Sequence, residues 1–176
     1  MIGCYPGTFN PPTVAHLAVA EAAVRHAGLD RLDLVLSQLP LGKEALARPT
    51  VDERRAVLAE VAATRPWLGV AVTDARLIAD VAAGYDVVVM GADKWAQVLD
   101  PAWYGGSAAA RDAALSRLPR ALVAPRAGVF PEGAELLPLA DDLHVVSASD
   151  VRAGRSGASA WILSEAARSG LWLTGA

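Results

Sequence analysis

Apolar positions along this chain come in short continuous blocks, and longer stretches of mixed apolar and charged residues lie between them. Ile2 to Tyr5 is a compact apolar run closed by Pro6 and Gly7, which predicts a buried strand. Thr13 to Ala27 is rich in Ala, Leu and Val with a few charges and is followed by Gly28, a helix with a glycine stop. Leu32 to Leu36 reads as a second strand. Thr50 and Glu53 form a Thr-x-x-Glu capping box that opens a helix running to about Arg65, ahead of Pro66. Leu68 to Val72 is a third strand, and Asp74 caps a short helix to Ala83. Tyr85 to Met90 contains Val-Val-Val, a run apolar enough for burial on both faces. Lys94 to Gly106 reads as irregular. Ser107 to Leu118 is a helix, Ala121 to Ala124 a strand, Leu143 to Val146 the last strand, and Ala158 to Arg168 the last helix.

Strands alternating with helices predict an α/β fold: one domain over residues 1–176 with a doubly wound parallel sheet. In such sheets ligands bind beyond the carboxyl ends of the strands, where the strand order reverses. The loops after strands are therefore the places to look for chemistry.

Composition narrows the field. The chain has 176 residues, 53% of them apolar and 20% charged, which excludes a disordered polymer. Sixteen Lys and Arg against 19 Asp and Glu leave a net charge of −3, a poor match for sequence-independent nucleic-acid binding. There is one cysteine, Cys4, and the three histidines are scattered, so neither an internal disulfide nor a zinc site is expected. No apolar run nears the roughly 18 residues of a membrane span, and Met1 leads straight into a strand pattern. A cytoplasmic domain is the expectation.

The loop after the first strand reads Gly7-Thr8-Phe9-Asn10-Pro11-Pro12-Thr13-Val14-Ala15-His16. Gly7 permits a tight turn and close backbone approach. Thr13 and His16 are three apart and share a face on the first turn of the helix. Unpaired backbone N–H groups and the positive helix end point the same way, which is an arrangement for phosphate. Near the other end, Val146-Ser147-Ala148-Ser149-Asp150-Val151-Arg152 follows the predicted last strand. Ser149 or Asp150 can cap a helix there, and Ser147, Ser149 and Arg152 can hold an anion together.

These two segments resemble the T/H-x-G-H and Ile-Ser-Ser-Thr-x-Ile-Arg motifs of the nicotinate/nicotinamide mononucleotide adenylyltransferases, within a larger nucleotidyltransferase superfamily. Ala15 stands where the family has glycine, and Ser147 and Arg152 keep the first serine and the arginine of the second motif. Gly170-Leu171-Trp172 is similar to the family's tail. The resemblance implies a Rossmann-like fold and transfer of AMP from Mg-ATP to a phosphorylated acceptor, with magnesium carried by the nucleotide. It implies catalytic roles for Thr13, His16, Lys43 and Arg152, and nucleotide contacts from Gly7, Thr8, Phe9, Asn10, Gly91, Asp93, Ser147 and Ser149. Lys43 matches a lysine in the loop after strand two, and Gly91-Ala92-Asp93 a Gly-x-Asp after the central strand. Trp103, with Trp95 as a rival, matches an aromatic that stacks on the acceptor ring, and Arg76 an acceptor-side arginine. The Ser-Tyr-Thr-like loop that helps read the acceptor's carboxylate is missing between Asp74 and Asp80.

Other readings remain. Phosphopantetheine is an alternative acceptor, and a nucleotide-binding protein with little turnover is a third reading. A cytidylyltransferase is disfavoured by the lack of an Arg-Thr-x-Gly-Ile-Ser-Thr-like segment. Neither Gly-x-Gly-x-x-Gly after strand one nor Gly-x-x-x-x-Gly-Lys is present, which disfavours a dehydrogenase and a P-loop kinase. Arg54 and Arg55 open the second helix against its dipole and read as a solvated pair, with an outside partner as the alternative. Trp95 to Tyr104 is either a substrate lid or an interface of a homo-oligomer.

Overall fold

The computed structural model describes residues 1–38 and 48–172. Six strands form one parallel sheet: β1 (Ile2–Pro6), β2 (Arg31–Ser37), β3 (Leu68–Thr73), β4 (Val87–Gly91), β5 (Arg120–Ala124) and β6 (Glu135–Leu136). Their spatial order is β3-β2-β1-β4-β5-β6. The doubly wound α/β expectation is met. The order reverses between β1 and β4, so a cleft is expected beyond their carboxyl ends.

Alternation along the strands divides the core into two layers. Leu32, Leu34, Leu36, Val87, Val89 and Leu122 point to one face, where α1 (Val14–Ala27) and α2 (Val51–Ala63) cover them. Val35, Val88, Met90 and Val123 point to the other, under α3 (Ile78–Val81), α4 (Ala92–Leu99) and α5 (Ala108–Leu115). Val88, Met90, Leu36 and Leu122 are completely buried, each contributing roughly 1.5–3 kcal/mol by leaving water. The buried alanines of α1 (Ala20, Ala22, Ala23, Ala27) let that helix approach the sheet closely, and Gly28 ends it in the left-handed region at φ +63°.

Four local expectations are corrected. The segment after β4 is helical, because Ala92, Trp95 and Val98 recur at helical spacing against the second core layer and Pro101 follows only after Leu99. Leu143–Val146 is not a strand. A 3-10 turn at Asp141–Leu143 is followed by another turn closed from Val146 N–H to the Leu143 carbonyl at 3.3 Å, and the edge position belongs to β6. Leu143 and Val146 lie three apart on one side while Val145 is exposed, a turn spacing that a four-residue segment cannot distinguish from a strand. Asp74 caps nothing. Ser37 Oγ donates to the Ala75 carbonyl at 2.8 Å and holds that stretch extended until α3 begins at Ile78. The last predicted helix is split into a 3-10 turn (Ala158–Trp161) and α7 (Ser164–Ser169), because Ile162 and Leu163 extend to pair with the loop after β1.

Candidate active site

The loop after β1 is shaped from within. Gly7 N–H donates to the Val35 carbonyl at 3.0 Å, which continues the pairing of β1 with β2. Phe9 has φ +44°, and its ring lies edge-on to Tyr5 at 5.5 Å and to His16 at 5.1 Å with only 1% of the residue exposed. A Cβ on residue 7 would sit 2.8 Å from the far end of that ring, so glycine is required there. Phe9 was expected at the nucleotide. Its ring is instead a packing wedge beneath the loop.

Thr13 is buried and is the N-cap of α1. Its backbone N–H donates to His16 Nδ1 at 3.0 Å, and its hydroxyl lies 2.9 Å from the same nitrogen. The imidazole thus stands where a capping box carries glutamate. A nitrogen that accepts a backbone N–H carries no proton, so the neutral ring has its proton on Nε2.

The loop is also held from outside, by residues distant in sequence. Arg54 is the largest correction on the charged side chains. It is not solvated: only 2% is exposed. It donates to the Thr8 carbonyl at 2.7 Å, to the Pro49 carbonyl at 3.1 Å and to the Thr50 carbonyl at 3.3 Å. Burial lowers its pKa, but a guanidinium keeps its charge at any physiological pH. Its neighbour Arg55 is the solvated member, 3.9 Å from Asp52. Leu163 N–H donates to the Pro12 carbonyl at 3.2 Å. Arg152, on α6 (Ala148–Arg152), donates to the Asn10 carbonyl, and Trp172 Nε1 to Asn10 Oδ1.

Within the second motif, Ser147 rather than Ser149 or Asp150 is the cap of α6. Its hydroxyl accepts the Asp150 N–H at 3.3 Å. Ser149 accepts from Arg152 at 3.1 Å, and both line the cleft.

The cleft sits at the reversal between β1 and β4 and has two lobes. Tyr5, Thr8, His16, Gly91, Arg126 and Ser149 line both. The smaller, about 130 Å³, adds Asn10, Thr13, Ala15 and Arg152. The larger, about 340 Å³, adds Gly7, Ser37, Arg76, Asp93, Lys94 and Gln97. That volume suits a small organic ligand. Four cationic side chains face one carboxylate among the described residues of the two walls, which favours an anionic ligand. Tyr5 stays a neutral phenol, because burial raises its pKa.

Arg126 was missed by the sequence reading. It lies two residues beyond β5, at the junction of the lobes, with its guanidinium 3.3 Å from Asp93. Its position just after a strand is the signal that would have found it. Lys94 also escaped notice; Nζ donates to Gln97 Oε1 at 2.6 Å. Trp103 lines a small recess beside the larger lobe with Tyr104, Arg76 and Lys94. Trp95 packs against the second core layer instead of lining the cleft. Lys43 lies outside the described residues. The described residues contain no cluster of three His, Cys, Asp or Glu side chains placed to hold a metal. None of the described helices is long and apolar enough to cross a membrane.

A parallel sheet with cationic loops at its topological reversal is an α/β domain with a site suited to an anionic ligand. The chain belongs to the cytidylyltransferase-like family, a nucleotidyltransferase family whose profile matches residues 4–154. It is similar to a probable nicotinate-nucleotide adenylyltransferase of Rubrobacter xylanophilus, 38% identical over 63 residues, 35% of this chain and 29% of that one. A protein of the same description from Listeria monocytogenes is 36% identical over 53 residues, 30% of this chain and 28% of that one. These matches span less than a third of the length of either relative.

Proposed function

We propose that the protein is a cytoplasmic adenylyltransferase. It transfers AMP from Mg-ATP to a phosphorylated acceptor, nicotinate mononucleotide before nicotinamide mononucleotide, and releases pyrophosphate. The observation that carries this reading is the two-lobed cationic cleft joined at Thr8, His16 and Arg126. One lobe is assigned to the phosphates of ATP and the other to the acceptor.

An acceptor phosphate oxygen attacks the α-phosphorus in line, and the bond from that phosphorus to the bridging oxygen of the β-phosphate breaks. The nucleophile is already ionised near neutral pH, so the protein positions the reactants and stabilises charge. His16 donates through Nε2 to a phosphate oxygen as charge grows there, and the Thr13 N–H holds its ring. Arg152 holds the departing pyrophosphate, joined by Lys43. Asp93, paired with Arg126, accepts from ribose hydroxyls. Magnesium bound with ATP would neutralise charge on the triphosphate; Asp93 is the one carboxylate among the described residues of the cleft. Arg76 and Lys94 in the larger lobe favour an acceptor with a carboxylate over one with a carboxamide.

The Ala15 methyl lies in the wall of the smaller lobe and favours a second reading, a nucleotide binder with little turnover. The test is pyrophosphate release from Mg-ATP with nicotinate mononucleotide, nicotinamide mononucleotide and phosphopantetheine in parallel. Release with nicotinate mononucleotide supports the proposal. Release with phosphopantetheine alone replaces the acceptor. ATP binding without release under any acceptor supports the second reading.

A further inference from the structure

We infer that Arg54 is a positioning residue for phosphate binding: it fixes the loop after β1 through the Thr8 carbonyl and places a buried positive charge beneath it. This rests on the nucleotide-binding reading of the cleft. Three observations carry it. Arg54 is the largest side chain among those fully buried, and a buried charge is costly unless compensated. Its compensation comes from three carbonyl oxygens, and none of the ion pairs among the described residues includes it. A carboxylate partner would have neutralised it. Carbonyl dipoles solvate the guanidinium and leave its net charge in place.

The position of that charge gives it a use. The carbonyl it holds at 2.7 Å belongs to Thr8, which lines both lobes, and the next residue is Phe9 in its left-handed conformation. Arg54 therefore ties down the peptide joining Thr8 to Phe9, where the loop turns under the cleft. A leucine or methionine would fill the same space with less desolvation cost. It would leave the Thr8 carbonyl without this donor, and the loop without a cation behind it. Arg54 also donates to the Pro49 and Thr50 carbonyls in the chain entering α2, so one guanidinium links that helix start to the loop after β1.

The test compares affinity for Mg-ATP with affinity for adenosine, which lacks phosphate, by ligand-observed NMR on the wild-type chain, Arg54→Gln and Arg54→Lys. Gln keeps N–H donors and removes the charge; Lys keeps the charge. Arg54→Gln is expected to lose about tenfold in Mg-ATP affinity, the scale of one unit charge acting through a partly screened interior, with adenosine affinity unchanged. Arg54→Lys is expected to hold the ratio near the wild-type value. Equal losses for both ligands, or no loss in Arg54→Gln, would overturn the inference by leaving Arg54 a purely structural residue. If Arg54→Gln lacks a cooperative melt, Arg54→Met takes its place as the variant without charge: a ratio of Mg-ATP to adenosine affinity that falls supports the inference and an unchanged ratio overturns it. A wild-type chain that binds adenosine but gains nothing from the triphosphate overturns the phosphate-site reading itself, which is a separate outcome.

Discussion

The Thr13 backbone N–H points at His16 Nδ1 from 3.0 Å, so one hydrogen bond both starts a helix and sets an imidazole tautomer. The proposed function gives this capping side chain a second task, donation to a phosphate, and a substitution can separate the two. His16→Glu restores the usual carboxylate of a capping box but supplies no N–H for a phosphate. The melting temperature is expected to stay within a few degrees of wild type, about the shift of 1 kcal/mol in a chain of this size. Pyrophosphate release is expected to fall about 10²-fold or more, as when a preorganised donor is removed. Calorimetry and a steady-state assay on the same preparation check both halves, and an unchanged rate would remove His16 from the chemistry.

The indole of Trp172 determines how the Asn10 amide is oriented. Because Nε1 can only donate, the oxygen of the amide must face it, and Asn10 Nδ2 is left buried without a partner among the described residues. Trp172→Phe keeps an aromatic ring, a smaller one, and removes the N–H. Stability is expected to fall by about 1–3 kcal/mol, the cost of an unpaired buried acceptor, and KM for ATP to rise while kcat changes less. Urea melts and an ATP titration of the variant measure both.

At the amino ends of β5 and β6, Glu135 joins the two strands to each other and to α1. Arg120 donates to it from Nε at 2.9 Å, and His26 Nε2 lies 3.0 Å from it. The Arg120 guanidinium, helped by His26, lowers the carboxyl from 4.5 to about 2. A depressed carboxylate stabilises the fold above its unfolded value, and that contribution is lost as pH falls from about 4.5 toward 2. The group is partly exposed, so the effect is modest and screened by salt. Urea midpoints measured between pH 5 and 2 at low salt are expected to decline less steeply in Glu135→Gln than in wild type. Parallel curves would show that the cluster contributes nothing.

Much of this arrangement could be read in the chain because its signals are local. A Pro-Gly stop, a Thr-x-x-His on a first helical turn and a Val-Val-Val run depend on neighbours within a few residues. The loop after β1 and the central strand β4 were found where expected for that reason. Arg54 was misread because its burial is decided by Thr8, 46 residues away, and no nearby residue indicates it. Arg126 went unnoticed because its contact with Asp93 exists only once β5 lies beside β4. Trp95 and Trp103 are separated by packing, since only the helical spacing of α4 sends Trp95 into the core. The turn at Leu143–Val146 passed for a strand because three apolar residues among four carry too short a period to choose.

The bonds from Arg152, Leu163 and Trp172 to the loop at Asn10–Pro12 join parts of the chain up to 162 residues apart. During synthesis the ribosome exposes β1 and its loop well before these three residues. A nascent chain can therefore pair its early strands, but its first loop lacks these restraints until residue 172 has left the exit tunnel. Completion of the cleft wall is in this way tied to synthesis of the segment from Arg152 to Trp172, and a product terminated before that segment would have the strands of the fold without these restraints on the loop after β1.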